Sequence, residues 1–183
     1  GAVVDFDVKA LKAVLSQMEG STVTLVVKPL DLSRLNDKQK AALSAFNVVK
    51  LFEIYFESNG KRISDFKGGM AAITLPFILE ADRKAQYYHV LYLNTNGEVE
   101  RLYTVYYEEE LTSLLDHFSE YAIVYDESQP NPTASVPPFE SLTVEQKYQA
   151  YELAKTLDVD IETAAKLLLD AEKLIVLSNA LRA

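Results

Sequence analysis

The sequence predicts an α+β protein in which a β-sandwich-like antiparallel body, with short helices near its N-terminus, precedes a C-terminal helical pair. Three observations predict it. Short runs rich in β-branched and aromatic residues, separated by turn dipeptides, recur up to about Glu127. A stretch crowded with proline, serine and asparagine follows, and beyond it the apolar period lengthens from two residues to three or four. The expected organisation is a β-rich module over 1–127, a proline-rich linker over 128–141 and a helical hairpin over 142–183.

In order along the chain, Val8, Leu11, Val14, Leu15 and Met18 fall at helical spacing and stop at Gly20, which predicts a short amphipathic helix. Thr22 to Lys28 (TVTLVVK) is β-branched and ends at Pro29, so it reads as a strand. Asn36-Asp37 caps a second helix through Ser44 that carries Leu35, Ala41 and Leu43. Val48 to Glu57 alternates up to the turn Asn59-Gly60, as a strand and reversal would. After Gly68-Gly69, MAAITLPF is a further strand, with Pro76 implying an edge position or a bulge near its end.

Tyr88 to Leu93 and Glu98 to Tyr107 flank Asn94-Thr-Asn-Gly97 and predict a hairpin. Glu108 to Leu115 fits neither period. His117 to Tyr125 (HFSEYAIVY) closes the body as a strand, with Phe118, Ala122 and Val124 on one side. The other side takes His117, Ser119, Tyr121, Ile123 and Tyr125. Ser128 to Pro138 suits an extended linker. Thr143 with Gln146 three residues on forms a capping box for a helix to about Leu157. Asp160 or its neighbour can cap the last helix, where Ile161, Ala164, Leu168, Ala171 and Ile175 recur and Leu167, Leu174 and Leu181 widen the stripe. Two helices cannot bury so wide a stripe between themselves. The tail is expected to dock on its own β body or on a second chain.

Composition excludes several function classes. With 49% hydrophobic and 25% charged residues the chain is an ordinary globular sequence. A net charge of −9 opposes binding to phosphate backbones, so no nucleic acid partner is expected. The absence of cysteine removes disulfides, thiolate metal sites and cysteine nucleophiles. No apolar run approaches the roughly 20 residues that span a bilayer, so no membrane insertion is expected. Gly1 in place of an initiator methionine suggests a chain cut from a longer precursor, with its targeting segment left behind.

Candidate chemistry is sparse. His89 lies among strand tyrosines and reads as a cross-strand packing residue. Asp116, His117 and Ser119 supply the residue types of a hydrolase triad, but neighbours on a strand point to opposite faces, so Asp116 and His117 are not expected to face each other. Asp158, Asp160 and Glu162 resemble the start of a calcium loop, yet Thr163 stands where glycine is needed and Leu169 where a bidentate glutamate is needed. A capping turn explains them better. Glu108-Glu109-Glu110 reads as a solvated turn or helix start, and Gly68-Gly69 lacks the lysine and threonine of a phosphate loop. No catalytic, cofactor-binding or metal residue is assigned, no cofactor is expected, and the chain is read as not an enzyme.

One stretch carries a family resemblance. Lys61-Arg-Ile-Ser-Asp-Phe-Lys-Gly-Gly69, Ile73-Thr-Leu-Pro-Phe77, Tyr88-His-Val-Leu-Tyr-Leu-Asn-Thr-Asn-Gly97-Glu and His117-Phe-Ser-Glu-Tyr-Ala-Ile-Val-Tyr125 occur in this order. Together they resemble a β-rich, uncharacterised module of secreted Gram-positive surface proteins, often found beside S-layer homology domains and bacterial immunoglobulin-like repeats. Lys9-Ala-Leu-Lys-Ala13 and Asn36-Asp-Lys-Gln-Lys-Ala-Ala42 resemble its N-terminal half, so the likeness spans about residues 5–125. It departs from the pattern between Tyr103 and Leu115. The resemblance implies an extracellular, cell-surface location and transfers no site residue.

Two function classes follow. The first is a non-catalytic structural, adhesive or protein-binding module, which an exposed apolar or tyrosine patch would support. The alternative is a carbohydrate-binding accessory module of a secreted glycan-active enzyme, with cell-wall or host glycan as ligand. It requires at least two coplanar exposed tyrosines among the 11 present.

Overall fold

The structure is a computed structural model that describes residues 1–182. Ten strands form two antiparallel sheets, and four helices accompany them. The smaller sheet has the order β1-β5-β9-β8, from β1 (Val3–Phe6), β5 (Ala71–Pro76), β9 (Glu110–Leu115) and β8 (Thr104–Tyr107). The larger has the order β2-β3-β10-β6-β7, from β2 (Thr24–Pro29), β3 (Asn47–Ser58), β10 (Glu120–Tyr125), β6 (Tyr88–Leu93) and β7 (Val99–Arg101), while β4 (Lys61–Ile63) pairs with β3.

Alternation along the strands sends one set of side chains between the sheets. Phe52, Ile54 and Phe56 of β3, Tyr121 and Ile123 of β10, and Val90 of β6 meet Ile73 and Leu75 of β5 and Leu111 and Leu115 of β9. The other set needs a separate cover. Leu51, Leu91, Leu93, Ala122 and Val124 point outward from the larger sheet and are covered by Leu35 and by Leu43 of α2 (Asp37–Leu43). On the outer face of the smaller sheet, Val105 is covered by α3 (Val144–Leu157) and the start of α4 (Ile161–Ala180). The molecule is therefore layered helix, sheet, sheet, helix.

Helix α1 (Val8–Gln17) differs from the expected face. Ala10, Ala13 and Val14 are buried, whereas Val8, Leu11 and Leu15 lie exposed. The reason is steric. Asp7 caps the helix through Ala10 N at 2.7 Å and also accepts from Met70 N at 3.0 Å, drawing α1 onto the Gly69-Met70 turn. A Cβ on Gly69 would lie 2.2 Å from the Ala10 nitrogen, so only a face of small residues can approach this closely.

Several other expectations are corrected. Pro76 is the last residue of β5, an inner strand of the sheet, but β1 pairs only as far as Thr74, so at the proline itself one side is a free edge. Glu98 to Tyr107 is not one strand. The chain leaves the larger sheet after Arg101 and enters the smaller one at Thr104, whose hydroxyl accepts from Val90 N at 3.1 Å where the ladder ends. Glu108 to Leu115 resolves into a tight turn and β9, with Glu108 and Glu109 both at positive φ, as a type I′ hairpin requires. The last strand begins at Glu120, and Phe118 joins Tyr121 and Ile123 in the inter-sheet core rather than sharing a side with Ala122 and Val124. Strand parity does not extend back to Phe118, which lies outside the ladder.

Residues 128–141 are no free linker. Asn131 is buried and donates through Nδ2 to Tyr88 O at 2.6 Å, while its own amide donates to Gln86 O at 2.8 Å. Thr133 O accepts from Ile161 N at 3.0 Å, and Phe139 is buried against the helices. The segment is a strap that lies between the body and the tail. The tail docks within the chain.

Replacing Gly69 by alanine is expected to lower stability by about 2–3 kcal/mol, because α1 must lift from the turn to admit a methyl group. Urea denaturation measures it. An unchanged midpoint would show that α1 is not seated on Gly69.

Candidate functional site

The seam between helices and body gathers most of the polar chemistry. Tyr103, at the crossing between sheets, stacks on Tyr151 of α3 with centroids 4.4 Å apart and planes inclined by 9°, and it also meets Tyr148 at 5.3 Å. The Tyr151 hydroxyl donates to Asn131 Oδ1 at 2.6 Å, and burial pushes its phenol up to about 12. Lys147, nearly buried, reaches Asp5 on β1 at 3.1 Å. Four contacts, made by Lys147, Tyr148 and Tyr151, thus tie α3 down.

Two clefts flank this seam. The first, about 470 Å³, is lined by His89, Arg101, Tyr103, Gln129, Asn131, Tyr151 and Lys155. His89 is only 1% exposed, and neither ring nitrogen makes a well-formed hydrogen bond. Burial first, and then the Arg101 charge, push its imidazole down to about 4. Arg101 itself pairs with Asp126 at 2.6 Å. Bonds from the Ser128 hydroxyl and amide, reinforced by Arg101, hold the Asp126 carboxyl well below the usual carboxylate range. The cleft holds a neutral imidazole beside an already neutralised ion pair.

The second cleft, about 370 Å³, is lined by Glu100, Arg101, Tyr103, Asp116 and Tyr148 together with Gly68 and Met70. Burial, then the negative charges of Asp116, Glu100 and Asp7, raise the Tyr148 phenol. It is a tyrosine-walled acidic notch. Gly68 contributes here from the turn that receives α1.

The residues weighed from sequence fall as follows. Asp116 and His117 do face each other, with Nδ1 to Oδ1 at 2.6 Å, contrary to the strand argument. They precede β10, and His117 makes only an isolated bridge with Asp65, so strand alternation does not apply. The pairing does not make a triad. His117 Nε2 is buried without a partner, its ring packs edge-on against Tyr92 at 4.4 Å, and no hydrogen bond joins it to Ser119. Asp160 caps α4 through Thr163 N, Asp158 ends α3 in the left-handed conformation, and Glu162 binds the strap at Val136 N at 2.7 Å. Two acids of that trio are spent on backbone amides, and Asp158 only terminates a helix. Among the described residues, no group of three or more His, Asp or Glu is arranged to hold a metal ion.

No family model, curated protein or solved structure matches this chain.

The tyrosines are less available than their number suggests. Tyr55, Tyr88, Tyr121 and Tyr151 are buried, the other seven are half-buried, and none is exposed. The parallel pair Tyr103 and Tyr151 is stacked upon itself, leaving no open platform for a sugar ring. The exposed apolar surface lies elsewhere. Ile161 and Ala164 of α4 are buried and Leu168 is half-buried, but Leu167, Leu174, Ile175, Val176, Leu177 and Leu181 are open to solvent. Sequence periodicity assigned the whole stripe to one packing face. The structure divides it.

Two outcomes test this geometry. Asn131→Ala removes the acceptor of the Tyr151 hydroxyl and the donor to Tyr88 O, and is expected to cost about 2–3 kcal/mol by urea denaturation. A wild-type midpoint would mean the strap does not hold the tail. For His89, the folded value of about 4 lies below the unfolded 6.5, so the unfolded chain binds the extra proton between them. The stability due to neutral His89 is complete above about pH 6.5 and is lost as pH falls towards 4, amounting to roughly 3 kcal/mol. His89→Leu should flatten that window, and an unaltered pH profile would contradict the burial of a neutral imidazole.

Proposed function

We propose that this chain is a non-catalytic, protein-binding structural module of an extracellular bacterial surface protein. The observation that carries the binding role is the exposed apolar side of α4, since water-facing leucine and isoleucine at this density mark an interaction surface. The likeness of residues 5–125 to a surface-protein module supports the location. No helix among the described residues is long and apolar enough to cross a membrane, so the α4 side chains are read as a surface for another macromolecule and not as a span.

The glycan-binding alternative rests on open tyrosine platforms, and the half-buried, mutually packed rings give it no comparable support. The hydrogen-bonded Asp116 and His117 similarly favour packing, since the imidazole is wedged against Tyr92.

A photo-crosslinking amino acid at the half-buried Ser178, beside the exposed Leu174 and Leu181 of α4, is expected to trap a protein on the surface of the cells that produce this chain. Capture of glycan alone, or protein capture only in the cytosolic fraction, would overturn the binding role or the location respectively.

A further inference from the structure

The exposed leucines of α4 do not simply continue its docked face. Successive residues advance about 100° around a helix, which places Leu167, Leu174 and Leu181 along one line, with Ala171 and Ser178 beside it. The docked residues Ile161, Ala165, Leu168 and Glu172 centre about 140° away on the same cylinder. Helix α4 therefore has a second apolar face beside the one the fold uses, and beyond Lys173 the exposed Ile175, Val176 and Leu177 make it apolar all round.

Geometry explains why the second stays uncovered. Helix α3 has 14 residues and α4 has 20, and Gln146 in the first turn of α3 meets Glu172 at 3.0 Å. Beyond Lys173 the helix runs on past its neighbour to Ala180, about 10 Å. Leu174 at 68% and Leu181 at 88% are among the most exposed large apolar residues of the chain, and Leu167 at 45% extends the line back over the docked half.

We propose that the Leu167–Leu174–Leu181 face is a homodimer interface, in which α4 of one copy pairs with α4 of a second; this deepens the protein-binding role proposed above and rests on it. The seven-residue leucine repeat is the period at which two helices stay in register around each other. Alanine and serine between the leucines leave room for the partner's leucines, so the seam complements a copy of itself. Its charged neighbours, Asp170, Lys173 and Arg182, are of mixed sign, and no block of like charge opposes pairing. At the area implied by ordinary leucine burial, the face and its Ile175 and Leu177 flanks withdraw roughly 400–500 Å² per copy. A symmetric pair then buries roughly 800–1,000 Å², below the roughly 1,200 Å² of a standard interface, so the dimer is of the weak, reversible kind.

The test uses the full chain, whose lack of cysteine makes single substitutions clean reporters. Sedimentation at about 100 μM should show twice the 20.5 kDa chain mass, with dissociation on dilution through the micromolar range. Leu174→Asp should be monomeric with the same melting temperature when compared at low concentration. Leu174→Cys should form an intermolecular disulfide on mild oxidation, whereas Val176→Cys, on the opposite side of the same turn, should not. The cysteine pair reads the interface even where the aspartate variant fails to fold. A 20.5 kDa species at every concentration, or equal crosslinking of the two cysteine variants, would overturn the dimer. A monomer whose Ser178 position still captures a different protein would leave the binding role standing and remove only the homodimer, and a monomer that binds lipid vesicles through this face would remove both.

Discussion

Val105 and Leu91 sit on sheet faces turned away from the shared core, and an apolar residue on such a face must be covered by another part of the chain. This requirement organises the molecule. The inter-sheet core satisfies one face of each sheet, leaving two outer faces to be closed. The short helix α2, held by a capping box between Asn36 and Gln39, closes one with Leu43. The other is too far along the chain for a local helix, and the α3–α4 pair reaches it through a strap that makes its own hydrogen bonds. Without that strap the helices would be tethered but not placed.

The crossing between sheets at Leu102-Tyr103 then decides where polar chemistry collects. A strand that changes sheets exposes backbone groups, and Thr104 and Asn131 satisfy neighbours of that gap with side chains. Tyr103 is left projecting between the layers, where it becomes the stacking surface for Tyr151. The clefts on either side are products of this crossing. Arg101, which lines both, is satisfied by Asp126, and Asp116 of the second meets His117. Such a seam consumes its polar groups in assembly, while the free interaction capacity lies on the overhanging apolar helix.

That helix shows how a chain of this size can carry a second apolar face at small cost. The first turns of α4 supply Ile161 and Ala164 to the fold, and the remainder is already nucleated by them. Extending a formed helix costs little, so a distinct face can be projected beyond the body without a further domain. The exposed Val8, Leu11 and Leu15 of α1 arise differently: close seating on Gly69 admits only the alanine face, and the larger residues are turned outward.

The sequence by itself determined the α+β class, most strands, the cap at Asn36, the capping box at Thr143 and the position of the composition break, because these depend on local periodicity and on neighbours three or four residues apart. It also identified the leucines of α4 as needing cover. What only the tertiary structure decided were matters of long-range geometry. Glu108-Glu109 turns the chain without glycine or asparagine because β8 and β9 are pinned as a pair in the smaller sheet. Asp116 meets His117 because the ladder starts only at Glu120, a boundary that local alternation cannot locate. The proline-rich stretch looks like a linker because its composition lacks strand and helix partners, yet Asn131 finds its partners 43 residues back at Tyr88 and 20 ahead at Tyr151. The division of the α4 stripe depended on where α3 begins beside it. A periodic pattern states which side chains avoid water, and only the arrangement of the other elements states which of them are covered.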